Sequence, residues 1–247
     1  MPDSTLSAAP VLLLPGLICD ARIWAPQVEG LRSFLAVTAI NGYGEADSLG
    51  AMADVVLAQA PDRFALAGHS MGGRVALEVF RRVPDRITGI ALVSTGVHSP
   101  RPNEAEGRFA LLSRGVEQGM EALVDAWLPP MVWEPNRARA GLMDQLTAMC
   151  LDLGLDSYER QIRGMLARPE VESLLPKIQC PAMVAVGEHD AWASAAQNQA
   201  IADAIPGSSF VCIPDAGHMV PVEQPQAMTD ALASWLDTVY ASPPART

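Results

Sequence analysis

The chain has 247 residues, 49% of them hydrophobic, enough to bury one sizeable core. Its formal net charge of −11 argues against nucleic acid and anionic membrane as main partners. Sixteen of the seventeen basic residues are Arg, Lys177 being the only Lys, and they form no basic run. Cys19, Cys150, Cys180 and Cys212 are scattered without zinc-like spacing, so no metal or cofactor is expected. The first ten residues lack the basic and apolar regions of a signal peptide, and no stretch reaches membrane-span length without a charge or breaker. A cytoplasmic protein with no membrane insertion is the default expectation, with the first few residues and the tail from Ala241 disordered.

In chain order, Val11 to Leu14 reads as a buried strand and Pro15-Gly16-Leu17 as the turn after it. A helix-like piece covers Trp24 to Arg32, Phe34 to Ile40 reads as a strand, Asn41-Gly42-Tyr43-Gly44 as a turn and Ala51 to Ala60 as a helix. The apolar run Phe64-Ala65-Leu66-Ala67 then enters Gly68-His69-Ser70-Met71-Gly72, and a helical stretch follows at once. Arg86 to Val93 gives another strand. From about Val97 to Pro176 the strand signal disappears, and the segment is helix-rich, broken by Gly115, Pro129-Pro130, Pro135 and Gly154. Pro181 to Val186 is a buried strand ending in Gly187-Glu188-His189-Asp190, and Phe210 to Pro214 leads to Asp215-Ala216-Gly217-His218. A final helix spans about Gln226 to Val239, with Trp235 as core, and Cys180 and Cys212, in or beside strands, read as buried thiols. Such alternation implies a mostly parallel sheet with helices on both faces.

A Gly-x-Ser-x-Gly pattern between strand and helix is a nucleophile elbow. The sharp turn lifts the Ser70 hydroxyl above the sheet, and Gly68 and Gly72 keep the strand–helix approach open. A serine hydroxyl needs a base to become a nucleophile. Imidazole, with an ordinary pKa of about 6.5, can take that proton and return it to a leaving group. A buried carboxylate fixes its tautomer. The assignment is Ser70 as nucleophile, His218 as base then acid, and Asp190 as orienting carboxylate, each after a strand, where catalytic groups gather in α/β sheets. Glu188 is an alternative acid, while His189, though it could be mistaken for the base, reads as a loop residue shaping the turn. Asp215 structures its turn, His69 diverges from Ser70, and His98 is either a surface residue or a pocket wall.

The chain resembles the α/β-hydrolase fold throughout, apart from its first and last few residues. The resemblance rests on the elbow, the Gly187-Glu188-His189-Asp190 loop, the segment Asp215 to Pro225, and Leu174 to Pro181. It departs where family members carry His-Gly and this chain has Pro15-Gly16, and where the acid loop continues Ala191-Trp192-Ala193, leaving Trp192 either a pocket wall or core. The triad order Ser, Asp, His is the family's. The resemblance implies an oxyanion hole from the N–H groups of Met71 and Leu17. It divides the chain into a core of residues 1–96 and 177–247 and a helical lid, or cap insertion, of residues 97–176. Of the lid's apolar residues, which include Trp127 and Met131, a few would line an acyl pocket. Its arginines, among them Arg108, Arg114, Arg137, Arg139, Arg160 and Arg163, read as solvated faces of mixed sign.

These features point to a serine hydrolase acting on small-molecule carboxylic esters with small or medium acyl groups through an acyl-enzyme. A thioester, a lactone or a carbon–carbon bond beside a ketone would suit the same triad. The segment Ser70 to Leu77 also resembles a lyase that makes a menaquinone precursor by proton abstraction. Ser70 disfavours the dehalogenase and epoxide hydrolase branches, which use Asp. A non-catalytic binding module on this fold is the third class.

Overall fold

The structure, a computed structural model, describes residues 9–33 and 35–241. The expectations for the first residues, for the tail beyond Ala241 and for Phe34 lie outside them. In chain order the elements are β1 (Val11–Leu14), α1 (Ala25–Leu31), β2 (Val37–Ala39), α2 (Leu49–Leu57), β3 (Phe64–His69), α3 (Met71–Arg82) and β4 (Ile87–Val93). There follow α4 (Glu104–Gln118), α5 (Met120–Trp127), α6 (Leu142–Leu166), β5 (Ala182–Gly187), α7 (Ala195–Ala204), β6 (Ser209–Ile213), α8 (Val220–Glu223) and α9 (Pro225–Ala241).

The strands form one six-stranded parallel sheet in the order β2-β1-β3-β4-β5-β6. β1, β3 and β5 are buried at every residue. Helices cover both faces of such a sheet, so its inner strands read as unbroken apolar runs rather than alternating ones. The chain passes from β1 out to β2 and returns to pair β3 on the other side of β1. The strand order therefore reverses between β1 and β3, where open α/β sheets hold their ligands. Leu14 pairs with Gly68, so the turns after β1 and β3 emerge side by side. That register is why Leu17 and Ser70, far apart in sequence, share one crevice.

Between β4 and β5 the described residues contain no strand. Helices α4, α5 and α6 pack on one another there. No helix among the described residues is long and apolar enough to cross a membrane.

Three expectations are corrected. The helix expected over Trp24 to Arg32 is split into a 3-10 turn, Ala21–Trp24, capped by Asp20, and α1 with Pro26 in its first turn. Helix α7 has no counterpart in the sequence reading. Its run AAQNQAIADA hides a helical period, and the legible signal was the Ser194–Gln197 capping box. Cys212 is exposed because β6 is an edge strand whose burial is broken along its length, and Cys180 is half-buried in the bend before β5.

Candidate active site

Ser70 stands between β3 and α3 with φ 53° and ψ −116°. A non-glycine residue held there carries about 1–3 kcal/mol of strain and persists only where its surroundings impose it. The Ser70 N–H donates to Val93 O at 2.8 Å, and the Thr95 hydroxyl donates to Ser70 O at 2.7 Å. The glycines answer to contact: a Cβ on Gly68 would lie 2.3 Å from Gly72 O, and one on Gly72 would lie 2.4 Å from Leu14 O.

The structure brings Ser70, His218 and Asp190 together. Ser70 Oγ lies 2.8 Å from His218 Nε2, and His218 Nδ1 lies 2.8 Å from Asp190 Oδ2. The other Asp190 oxygen, Oδ1, accepts the N–H groups of Trp192 and Ala193 at 2.8 and 2.9 Å. Burial opposes the charge on Asp190, yet the adjoining His218 ring and these two N–H donors hold its carboxyl below the ordinary range. An acceptor-only carboxylate makes Nδ1 the donor and leaves Nε2 to accept the serine proton. The alternatives lie elsewhere. Glu188 is half-exposed and turned toward His189, and His189 stacks on Trp133 at 4.5 Å. Asp215 adopts φ 55° in its turn, and its carbonyl accepts from Asn136 and Gln224.

His69 diverges from Ser70 and supports the triad from below. It is fully buried, and its Nε2 donates to His218 O at 2.8 Å, while Nδ1 has no partner. Burial first, and the adjoining His218 second, push its pKa down to about 3. In the unfolded chain it titrates near 6.5. Between about pH 6.5 and about 3 the unfolded state therefore binds the extra proton, so stability falls as pH is lowered through that window, by up to ~1.4 kcal/mol per pH unit. His69→Gln, whose amide N–H can still donate to His218 O, should unfold in urea with a flatter pH dependence between pH 6.5 and 5 than the wild type. An unchanged slope would mean that His69 carries its proton in the fold.

Leu17 and Met71 line the same cavity as Ser70. Met71 opens α3, where an N–H has no intrahelical acceptor and the helix dipole favours negative charge. The turn after β1 is braced from three directions. Trp24 Nε1 donates to Leu14 O at 3.0 Å, and the Tyr43 hydroxyl donates to Pro15 O at 2.9 Å. Ile18, at φ 42°, donates its N–H to Gln161 Oε1 at 2.7 Å. Tyr43 and Gln161 thus hold a turn in which Pro15 offers no polar side chain. Neither role is visible in the sequence, because both contacts are non-local.

The cavity has a volume of about 480 Å³, inside the roughly 300–1,000 Å³ of small-molecule sites. Leu111, Trp127, Met131 and Met165 give it an apolar side. Trp192 lines it while 47% exposed, so it is a wall and not core. A second group of lining residues is charged: Arg74, Arg101, Glu104, Arg108 and Arg168. The expectation of solvated arginine faces holds for Arg163, paired with Glu159 at the surface. It fails at Arg108, whose side chain is 16% exposed and paired with Glu104. Nothing local in the sequence marks Arg168 as a residue of this cavity. The available signal for Arg74 was its place four residues after Ser70, one turn along the same helix face.

The sequence model described as the alpha/beta hydrolase family matches residues 11–231. The chain is similar to a putative carbamate hydrolase of Rhizobium rhizogenes, at 25% identity over 93% of each chain. It is similar to a pimeloyl-[acyl-carrier protein] methyl ester esterase of Chromobacterium violaceum, at 25% identity over 95% of this chain and 97% of that one. Among solved structures it is similar to a thermophilic esterase of Thermogutta terrifontis with malate bound, at 31% identity and a TM-score of 0.85, over 94% of this chain and 91% of that one.

Proposed function

Because the chain belongs to the alpha/beta hydrolase family, we propose that it is a serine hydrolase cleaving carboxylic esters of small or medium acyl groups through an acyl-enzyme. The observation that carries this reading is the unbroken line Ser70 Oγ, His218, Asp190, each link 2.8 Å, at one side of a cavity of about 480 Å³. Ser70 Oγ attacks the ester carbonyl as His218 Nε2 takes its proton. The N–H groups of Leu17 and Met71 receive the charge that develops on the carbonyl oxygen. His218 then protonates the leaving alcohol, and water attacks the acyl-enzyme with His218 as base. Asp190 keeps the imidazole in the tautomer that accepts at Nε2 throughout.

Residues 97–176 act as the lid in this reading, since Leu111, Trp127, Met131 and Met165 supply the apolar side of the cavity. The esterase relatives support the ester over the alternatives. A carbamate, the substrate class named for another relative, exposes a carbonyl to the same attack.

Hydrolysis of a chain-length series of p-nitrophenyl esters by wild type and Ser70→Ala tests the reading. Wild-type turnover that falls at least about 10⁴-fold in Ser70→Ala is expected, and the preferred length sizes the acyl pocket. Absence of turnover by folded wild type across the series would sink the ester reading and shift attention to proton abstraction by the same triad.

A further inference from the structure

We propose that the arginine-lined wall of the cavity is a carboxylate subsite centred on Arg74, so that the ester substrate carries a second, ionised carboxyl group. This rests on the ester-hydrolase reading above and narrows it to half-esters of short dicarboxylic acids.

Arg74 lines the cavity but is only 2% exposed. Its Nη2 donates to His98 O at 2.7 Å, while the buried Nη1 has no partner. A guanidinium offers several N–H donors in a planar fork, and a buried one with donors unmet carries the cost of its lost hydration. The surrounding charges do not supply a counter-ion. Arg168 places its two terminal nitrogens on Glu104 at 2.7 and 2.6 Å, and its Nε on His98 O at 3.2 Å. Arg108 takes Glu104 Oε1 as well, at 2.9 Å. Among the described residues, the one carboxylate lining the cavity is therefore shared by two other arginines. Glu104 and, less strongly, Glu172 attract Arg74 through space, but neither forms an ion pair with it among the described residues. Burial, and then the repulsion of Arg168, pull the Arg74 guanidinium down to about 9, which still leaves it protonated at neutral pH.

This excess of positive charge lies inside a chain whose net charge is −11. A carboxylate arriving on the substrate would give Arg74 the acceptor it lacks, and a planar fork matches a carboxylate's two oxygens. Arg74 stands in the first turn of α3, four residues after Ser70, and both line the same cavity. A small molecule can therefore present an ester carbonyl to one and a carboxylate to the other.

The probes are mono-p-nitrophenyl glutarate and p-nitrophenyl pentanoate, equal in acyl chain length and different in the terminal charge. The wild type should favour the glutarate half-ester in kcat/KM by about tenfold or more, the worth of one charge-assisted hydrogen bond. In Arg74→Gln the ratio of the two should fall to equality or reverse, and Arg74→Lys should restore part of it. A wild-type ratio at or below equality, or a ratio that Arg74→Gln leaves unchanged, would overturn the subsite. Calorimetric binding of glutarate against glutaramide to the wild type decides the matter if Arg74→Gln does not fold: binding no tighter for the dianion would overturn it. Labelling of Ser70 by a fluorophosphonate reads the hydrolase mechanism separately. Loss of labelling with glutarate still bound would fault the ester reading and leave the subsite standing.

Discussion

Asp190→Asn is expected to lower kcat about ten-thousandfold. The reason lies in the two oxygens of Asp190. Oδ1 is engaged by the Trp192 and Ala193 N–H groups, which only an acceptor satisfies. An asparagine would keep its carbonyl oxygen there and turn its NH₂ toward His218 Nδ1. That ring nitrogen would then have to accept, and the ring proton would move to Nε2, facing Ser70 Oγ 2.8 Å away. A base whose proton already points at the nucleophile cannot take another. Steady-state kcat on the best p-nitrophenyl ester measures the effect. Glu188→Gln, at a half-exposed side chain turned toward His189, should stay within about threefold of wild type, as surface changes away from reacting atoms do. If Glu188→Gln were the crippling change and Asp190→Asn the mild one, the acid would be Glu188.

The parts of the site that sequence made legible are those carried by local signals. Ser70, Asp190 and His218 each follow an apolar run directly, and a buried parallel strand announces itself by that run and its turn residues. Alternation implies a mostly parallel sheet, but the strand order that sets the turns after β1 and β3 side by side is seen only in the fold. The supports of the site are non-local. Gln161 is 143 residues from the Ile18 N–H that it accepts, and Glu223 is 90 residues from the Trp133 N–H. Their meeting depends on how the helical segment between β4 and β5 crosses the sheet, and no periodicity encodes that crossing. The charged wall was hidden for the same reason. Glu104, Arg108 and Arg168 look like ordinary surface charges until α4 and the end of α6 bring them beside Arg74.

Glu223 is where this coupling has its largest expected energetic effect. The residue is fully buried, and its side chain forms no ion pair among the described residues. Its carboxylate accepts four N–H groups instead: Met219 N on Oε1, and Gly217 N, Trp133 N and Asn136 Nδ2 on Oε2, at 2.9–3.0 Å. Gly217 and Met219 flank His218. Trp133 and Asn136 belong to the segment whose Met131 carbonyl accepts the His218 N–H at 2.8 Å. One carboxylate thus ties the histidine loop to the helical segment on both sides of the base. Glu223→Ala strips three backbone N–H groups of their acceptor at about 1–3 kcal/mol each, so roughly 3–9 kcal/mol of stability should be lost in urea unfolding. Glu223→Gln keeps the volume but turns a donor toward N–H groups that need an acceptor. Its kcat should fall roughly tenfold to a hundredfold through displacement of His218, with KM changed far less, because a shift of about 1 Å in a catalytic group is enough for that. Wild-type unfolding and wild-type kcat in Glu223→Gln would show that the carboxylate only fills space. The expected result would mean that residues 131–136 and the catalytic base move as one unit, so that substitutions loosening that wall lower kcat as well as substrate affinity.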